Sequence, residues 1–271
     1  MTEAVKKLTP EQLFKLRESL PHLPDKKKRR TLELLKQYDT GMTQLIGKES
    51  FLDFVKHVYP GYKVGPHHLK LIQIFEDIAR GIKKRVIVNI APRHGKSELI
   101  SYLAPAWFLG KFPQKKIIMS SHTADLAVNF GRRVRNLVGS DSYKGIFPQV
   151  ELQADSKSAS RWGTNFQGEY FAIGVGGALA GRGADLLLVD DPHNEQDIIN
   201  GNFDVFEKAY EWFTYGARTR LMPGGRVAIV QTRWHMDDLT GKVVRDMSMN
   251  DEADQYEVVE FPAIFNENTP E

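Results

Sequence analysis

Gly95, Lys96 and Ser97 stand together in this chain, and further along Asp190 and Asp191 stand together. These are residue types that handle phosphate. A glycine lets the backbone turn tightly enough to aim several N–H groups at one anion. A lysine brings a point charge to β/γ oxygens, and the hydroxyl beside it can hold Mg²⁺. The segment Pro92-Arg93-His94-Gly95-Lys96-Ser97-Glu98 therefore reads as a loop for the phosphates of ATP. It departs from the usual G-x-x-x-x-G-K-[ST] pattern, because Ile90 stands where the first glycine belongs. The plain alternative is a strand-to-helix turn with Gly95 tightly bent and Lys96 in solvent.

Two carboxylates at one strand end are costly unless they meet a cation. Asp190 would hold Mg²⁺ through water, and Asp191 would orient and deprotonate the attacking water. Many ATPases of this arrangement have Glu at the second position, so Glu195 stands as the reserve base. The plain alternative here is a capped turn before Pro192.

The elements that must position these groups are legible. Val86, Ile87, Val88 and Ile90 make a buried strand into the loop, and Leu99, Ile100, Leu103 and Trp107 recur at helical spacing after it. Residues 116–120 form a second buried strand, followed by a helix over 122–138. Residues 184–191 have the continuous apolar run of a fully buried parallel strand, whose carboxyl end is where α/β sheets place ligands. A further buried strand over 226–232 ends in the polar cluster Gln231-Thr232-Arg233-Trp234-His235, and a last strand covers 256–261. Residues 160–164 and 169–173 read as a hairpin. Helices are expected over 51–58, 69–79, 199–220 and 237–247, with a turn at Pro223-Gly224-Gly225. At the N-terminus, Thr9-Pro10-Glu11-Gln12 is a helix start, and Asp25 caps a second helix carrying Leu32, Leu34 and Leu35. Residues 42–48 read as a linker or short helix.

Other charged and aromatic residues have two readings each. His67 and His68 open the helix that leads into the loop strand. Either ring would stack on adenine or read its edge, or would make local hydrogen bonds at the helix start. Arg93 would grip phosphate oxygens of its own subunit's ATP, or pair with a carboxylate. Arg182 closes a glycine-rich loop (174–183) at the entrance of the strand whose exit carries Asp190. Eight extended residues span roughly 26 Å, so Arg182 sits far from its own site unless the loop folds back. It is placed to reach a neighbouring subunit's ATP, or else it pairs with Asp185 or caps a turn. Arg132, Arg133 and Arg135 read as mostly solvated. The run Lys26-Lys27-Lys28-Arg29-Arg30 is a solvated face or a contact for DNA or a partner.

Composition bounds the answer. The 271 residues, 41% hydrophobic and 26% charged, suit one large α/β domain with appendages or two small ones. No apolar stretch has membrane-spanning length, the first residues lack a signal peptide's apolar core, and the absence of Cys excludes disulfides and thiolate metal sites. The net charge of +3 is uneven: residues 246–271 hold 8 acids and no base, leaving a mildly basic body compatible with a polyanion.

Four blocks, APRHGKSEL, SSHTADLAVNFGRRVRNLVGS, GGALAGRGADLLLVDDPHNE and VAIVQTRWHMDDLTG, together resemble the ATPase half of a tailed-bacteriophage large terminase, the DNA-packaging motor, over roughly residues 50–262. Such enzymes are known for a phosphate loop that lacks the first glycine and carries an arginine. The resemblance implies a three-layer α/β P-loop NTPase of the additional-strand type. Its central sheet would be mostly parallel, with the 226–232 strand between the two Walker strands and its tip, Thr232 included, sensing the γ-phosphate. It implies Mg²⁺-dependent ATP hydrolysis coupled to translocation of double-stranded DNA into a procapsid, in the host cytoplasm. It also implies a homo-oligomeric ring on a portal protein, a small terminase subunit as partner, and Arg182 as a finger in trans. The expected organisation is a helical N-terminal segment (1–50), the ATPase domain (51–262) and a tail or linker start (263–271), with no nuclease activity in this chain. Another P-loop DNA translocase or helicase-like ATPase is the alternative, beside a nucleotide-binding scaffold without turnover and a phosphotransferase.

Overall fold

The computed structural model describes residues 9–155 and 158–262, so the tail over 263–271 lies outside the described residues. Helix α1 (Pro10–Ser19) begins as the sequence directs: Thr9 and Gln12 close a reciprocal capping box. Helix α2 (Asp25–Glu49) then runs unbroken for 25 residues and absorbs 42–48, which is neither linker nor separate helix. Packing overrides the weak helix propensity of glycine here. A side chain at Gly47 would collide with Ile146, and the Gly47 carbonyl accepts the indole N–H of Trp107 at 3.0 Å. Helix α3 (Phe51–Val58) is capped by Ser50, and α4 (Pro66–Arg80) ends at Gly81 with a φ of +78°.

Strand β1 (Arg85–Ile90) feeds the loop 91–97, a π-helical turn (Glu98–Leu103) and α5 (Ala104–Lys111). Next come β2 (Lys116–Ser121), α6 (Ala124–Val138), a short α7 (Asp141–Ile146) that periodicity does not reveal, and the hairpin β3 (Arg161–Gly163) and β4 (Glu169–Gly174). Strand β5 (Ala184–Asp190) is buried at every position. The single helix expected over 199–220 is broken. Helix α8 (Glu195–Ile199) stops before Gly201, left-handed at φ +65°, and α9 (Asp204–Glu211) runs into a second π-helical turn (Trp212–Ala217). Strand β6 (Leu221–Gln231) contains Pro223-Gly224-Gly225. They bulge out of the strand instead of preceding it: Ala184 of β5 pairs with Leu221, and Leu186 with Arg226. Helix α10 (Leu239–Met249) and β7 (Glu257–Phe261) complete the chain described.

The seven strands lie in the order β3-β4-β2-β5-β6-β1-β7, and the β3–β4 pair alone is antiparallel. Parallel strands need both faces covered. One face packs Leu186, Leu188, Ala228 and Val88 under α3 to α7. The other packs Leu187, Val189, Ile229 and Ile87 under Phe213, Ala217, Leu239 and Val243. The result is the three-layer α/β sandwich with β6 between β5 and β1. Among the described residues no helix is long and apolar enough to cross a membrane.

Trp107 joins the N-terminal helices to this sandwich. It is fully buried, its ring lies 5.2 Å from that of Phe51, and its N–H holds α2. Trp107→Ala should cost about 3–5 kcal/mol in urea denaturation. A loss under about 1 kcal/mol would show that α2 is not anchored through this ring.

Candidate active site

Register fixes what meets at the carboxyl edge. Asp190 of β5 pairs across to Val230 of β6, and Gln231 of β6 pairs with Asn89 of β1. The loop after β1 and the two aspartates at the end of β5 thus converge over the tip of β6. Lys96, 6% exposed, places Nζ 2.6 Å from Oδ2 of Asp191. Asp190, 2% exposed, accepts the Ser101 hydroxyl on Oδ2 at 2.6 Å, and the Ser97 hydroxyl lies close enough to favour its charged form. No motif singles out Ser101 in the sequence, although it lies four residues after Ser97 and so on the same helix face. Burial and then the charge of Asp191 push the Asp190 carboxyl up to about 6, against the pull of Lys96 and the two hydroxyls.

Asp191 has a left-handed backbone, φ +44°, which a non-glycine residue keeps only when its surroundings enforce it. They do. Its N–H donates to the Val230 carbonyl at 2.9 Å, and its own carbonyl accepts the His122 N–H at 3.1 Å. Its Oδ1 accepts the Thr232 N–H at 2.9 Å. Thr232 also donates its hydroxyl to the Ile90 carbonyl at 3.2 Å, so one residue ties the tips of β1, β5 and β6.

The loop itself turns through two left-handed residues, Arg93 (φ +63°) and Gly95 (φ +74°). Pro92, Arg93 and His94 are exposed, and Arg93 has no ion-pair or hydrogen-bond partner among the described residues. Glu98 is held by Arg133, whose Nη2 reaches both its oxygens at 2.6 and 2.8 Å while the guanidinium lies 4.1 Å over Tyr102. Arg133 is therefore an anchor between α6 and the loop helix instead of a solvated side chain. Only the folded chain brings it beside Glu98. His68 spends both ring nitrogens locally, on the Gly65 N–H and the His94 carbonyl. His67 lies against it, ring centroids 3.9 Å apart, with Nε2 buried and unpartnered. Glu195 is exposed on the first turn of α8 and makes no ion pair or hydrogen bond with Lys96 or the aspartates among the described residues. Arg182 lies at the opposite, amino edge. Its Nη1 is 3.3 Å from Glu169, its guanidinium stands 4.6 Å over Phe171, and Asp185 belongs instead to Lys115 and the Lys116 N–H.

The residues at the carboxyl edge fit a hard divalent cation. Oδ1 of Asp190 is buried without a partner, and the Ser97 hydroxyl adjoins the same carboxylate. Among the described residues no group of three or more His, Cys, Asp or Glu forms a metal cage. One carboxylate and one hydroxyl are what Mg²⁺ takes from a protein when phosphates and water supply the rest. The hydroxyls of Ser120 and Ser121, Nδ1 of His122 and the Gln231 amide, at the ends of β2 and β6, are likewise buried and unpartnered.

No family model matches the chain, and no curated protein matches its sequence. Solved structures do. The ATPase domain of the large terminase of Thermus phage P74-26, in a mutant form, is 19% identical with a TM-score of 0.50, over 77% of this chain and 84% of that one. The large terminase of a second, thermophilic bacteriophage, in complex with ADP, is 12% identical with a TM-score of 0.42, over 79% of this chain and 44% of that one. The first likeness shows a shared fold.

Asp190 supplies a test without any activity assay. A carboxyl whose pKa is raised on folding destabilises the fold as pH rises from its unfolded value through about 6. At pH 7.5, Asp190→Asn should therefore raise the stability of the metal-free protein, by on the order of 1–3 kcal/mol, in thermal or urea unfolding. A lower stability would mean that Lys96 and the hydroxyls more than offset the burial of this charge.

Proposed function

We propose that this chain is a Mg²⁺-dependent ATPase of the large-terminase kind, which hydrolyses ATP to drive double-stranded viral DNA into a procapsid. The set of buried Lys96 and Asp190 with half-buried Asp191, and Ser97 beside Asp190, is the observation that carries the reading. The fold shared with the P74-26 ATPase domain supports it.

The roles follow from the contacts. Backbone N–H groups of the loop and the positive end of the helix after it receive the phosphates. Lys96 gives up Asp191 for the β/γ oxygens, and Arg93, without a partner among the described residues, adds a bidentate grip. Ser97 and Asp190 would hold Mg²⁺, whose charge would offset that of the phosphate oxygens. Once Lys96 has left it, Asp191 is an unpaired carboxylate still aimed by the Thr232 N–H. It takes the proton of a water whose oxygen bonds to the γ-phosphorus as the bond to the ADP oxygen breaks. Arg182, held at the far edge by Glu169, acts on the ATP of the next subunit in a ring. That ring would sit on a portal protein with a small terminase subunit as partner, in the host cytoplasm.

Lys96→Ala should abolish Mg²⁺-dependent phosphate release from ATP, and it should also cost stability because two carboxylates lose their cation. Wild-type turnover in a variant shown to be folded would remove the reading. Arg182→Ala and Lys96→Ala subunits, each inactive alone, should regain hydrolysis when mixed, because one kind of interface then pairs an intact loop with an intact arginine. No recovery in demonstrated mixed rings would end the assignment in trans.

A further inference from the structure

We propose that His68 is a positioning residue that clasps the phosphate loop in the shape that receives a nucleotide. The proposal rests on the nucleotide reading above. The Gly65 N–H can only donate, so Nδ1 of His68, 2.9 Å away, must accept. The ring proton is therefore on Nε2, which faces the His94 carbonyl at 3.1 Å and donates to it. Neutral His68 in this one tautomer makes both bonds, joining the first turn of α4 to the middle of the loop. Burial, with the rings of His67 and His94 nearby, holds its pKa below the usual 6.5, so the neutral form prevails at neutral pH. The phenol ring of Tyr62 also meets the His68 ring, edge-on, centroids 5.4 Å apart.

The clasp has a direct consequence for phosphate. In a trans peptide the C=O and the next N–H point in opposite directions. With the His94 carbonyl turned to His68, the Gly95 N–H is turned away from the ring, and no acceptor among the described residues takes it. It becomes one of the N–H groups a phosphate loop offers. Gly95 is bound to the same arrangement: a Cβ there would lie 2.6 Å from Nε2 of His68, and its φ is +74°.

Two substitutions separate the clasp from simple helix capping. His68→Asn keeps an acceptor at the δ position for Gly65 but cannot span to His94. His68→Gln is long enough to donate to His94. With Mg²⁺ and a fluorescent ATP analogue, Asn should raise Kd about three- to tenfold, and KM for ATP more than it lowers kcat, with thermal stability near wild type. Gln should recover most of the affinity. In nucleotide-free protein, amide exchange at Gly95 and Lys96 should speed up in the Asn variant while α4 stays protected. An Asn variant that binds like wild type overturns the clasp, as does equal weakening of both variants in step with lost stability. A wild-type protein that binds no nucleotide overturns the site reading instead.

Discussion

Lys96 places its amino group where water scarcely reaches, and the carboxyl edge of the sheet is arranged around it. A buried ammonium needs anions beside it, and a buried carboxylate with a second one adjacent needs a cation. Asp191 at 2.6 Å meets the first need, and Lys96 answers the second for both aspartates. The sheet makes this possible. Parallel strands send β1 and β5 to the same edge, and β6 between them sets their spacing. The helices on both faces then remove the solvent that would screen the charges.

Such a cluster has little stability to offer the fold. Burial pulls Asp190 toward its neutral form, and the backbone at Asp191 sits in a region that costs energy. The surrounding hydrogen bonds hold it in place. Thr232 spans three strand tips, His122 and Val230 fix the Asp191 peptide groups, and Arg133 pins Glu98 beside the loop. A site held this firmly can exchange one partner of Lys96 for another without rebuilding the sheet.

The central strands β1, β2, β5 and the carboxyl half of β6 are legible because both their faces are buried. Each of these reads as a largely apolar run, and the glycine-rich or polar residues at their ends mark the site, including Lys96, Ser97, Asp190 and Asp191. What stayed hidden was decided by packing across the fold. Residues 42–48 read as a linker or short helix, but the contacts of Gly47 with Trp107 and Ile146 carry α2 through them. Gly201, inside an amphipathic pattern, ends α8 instead of being tolerated. The bulge at Pro223-Gly224-Gly225 looks like a turn in sequence, since both need the same residues. The Arg133–Glu98 pair and the partner of Arg182 join residues far apart in the chain, and no spacing rule announces them.

The most direct measurement is a crystal structure with a non-hydrolysable ATP analogue and Mg²⁺. Lys96 should leave Asp191 for the phosphates, the cation should sit between Ser97 and Asp190, and Asp191 should stay on the Thr232 N–H with its other oxygen free. A nucleotide bound elsewhere, with the Lys96–Asp191 pair intact at 2.6 Å, would contradict the account.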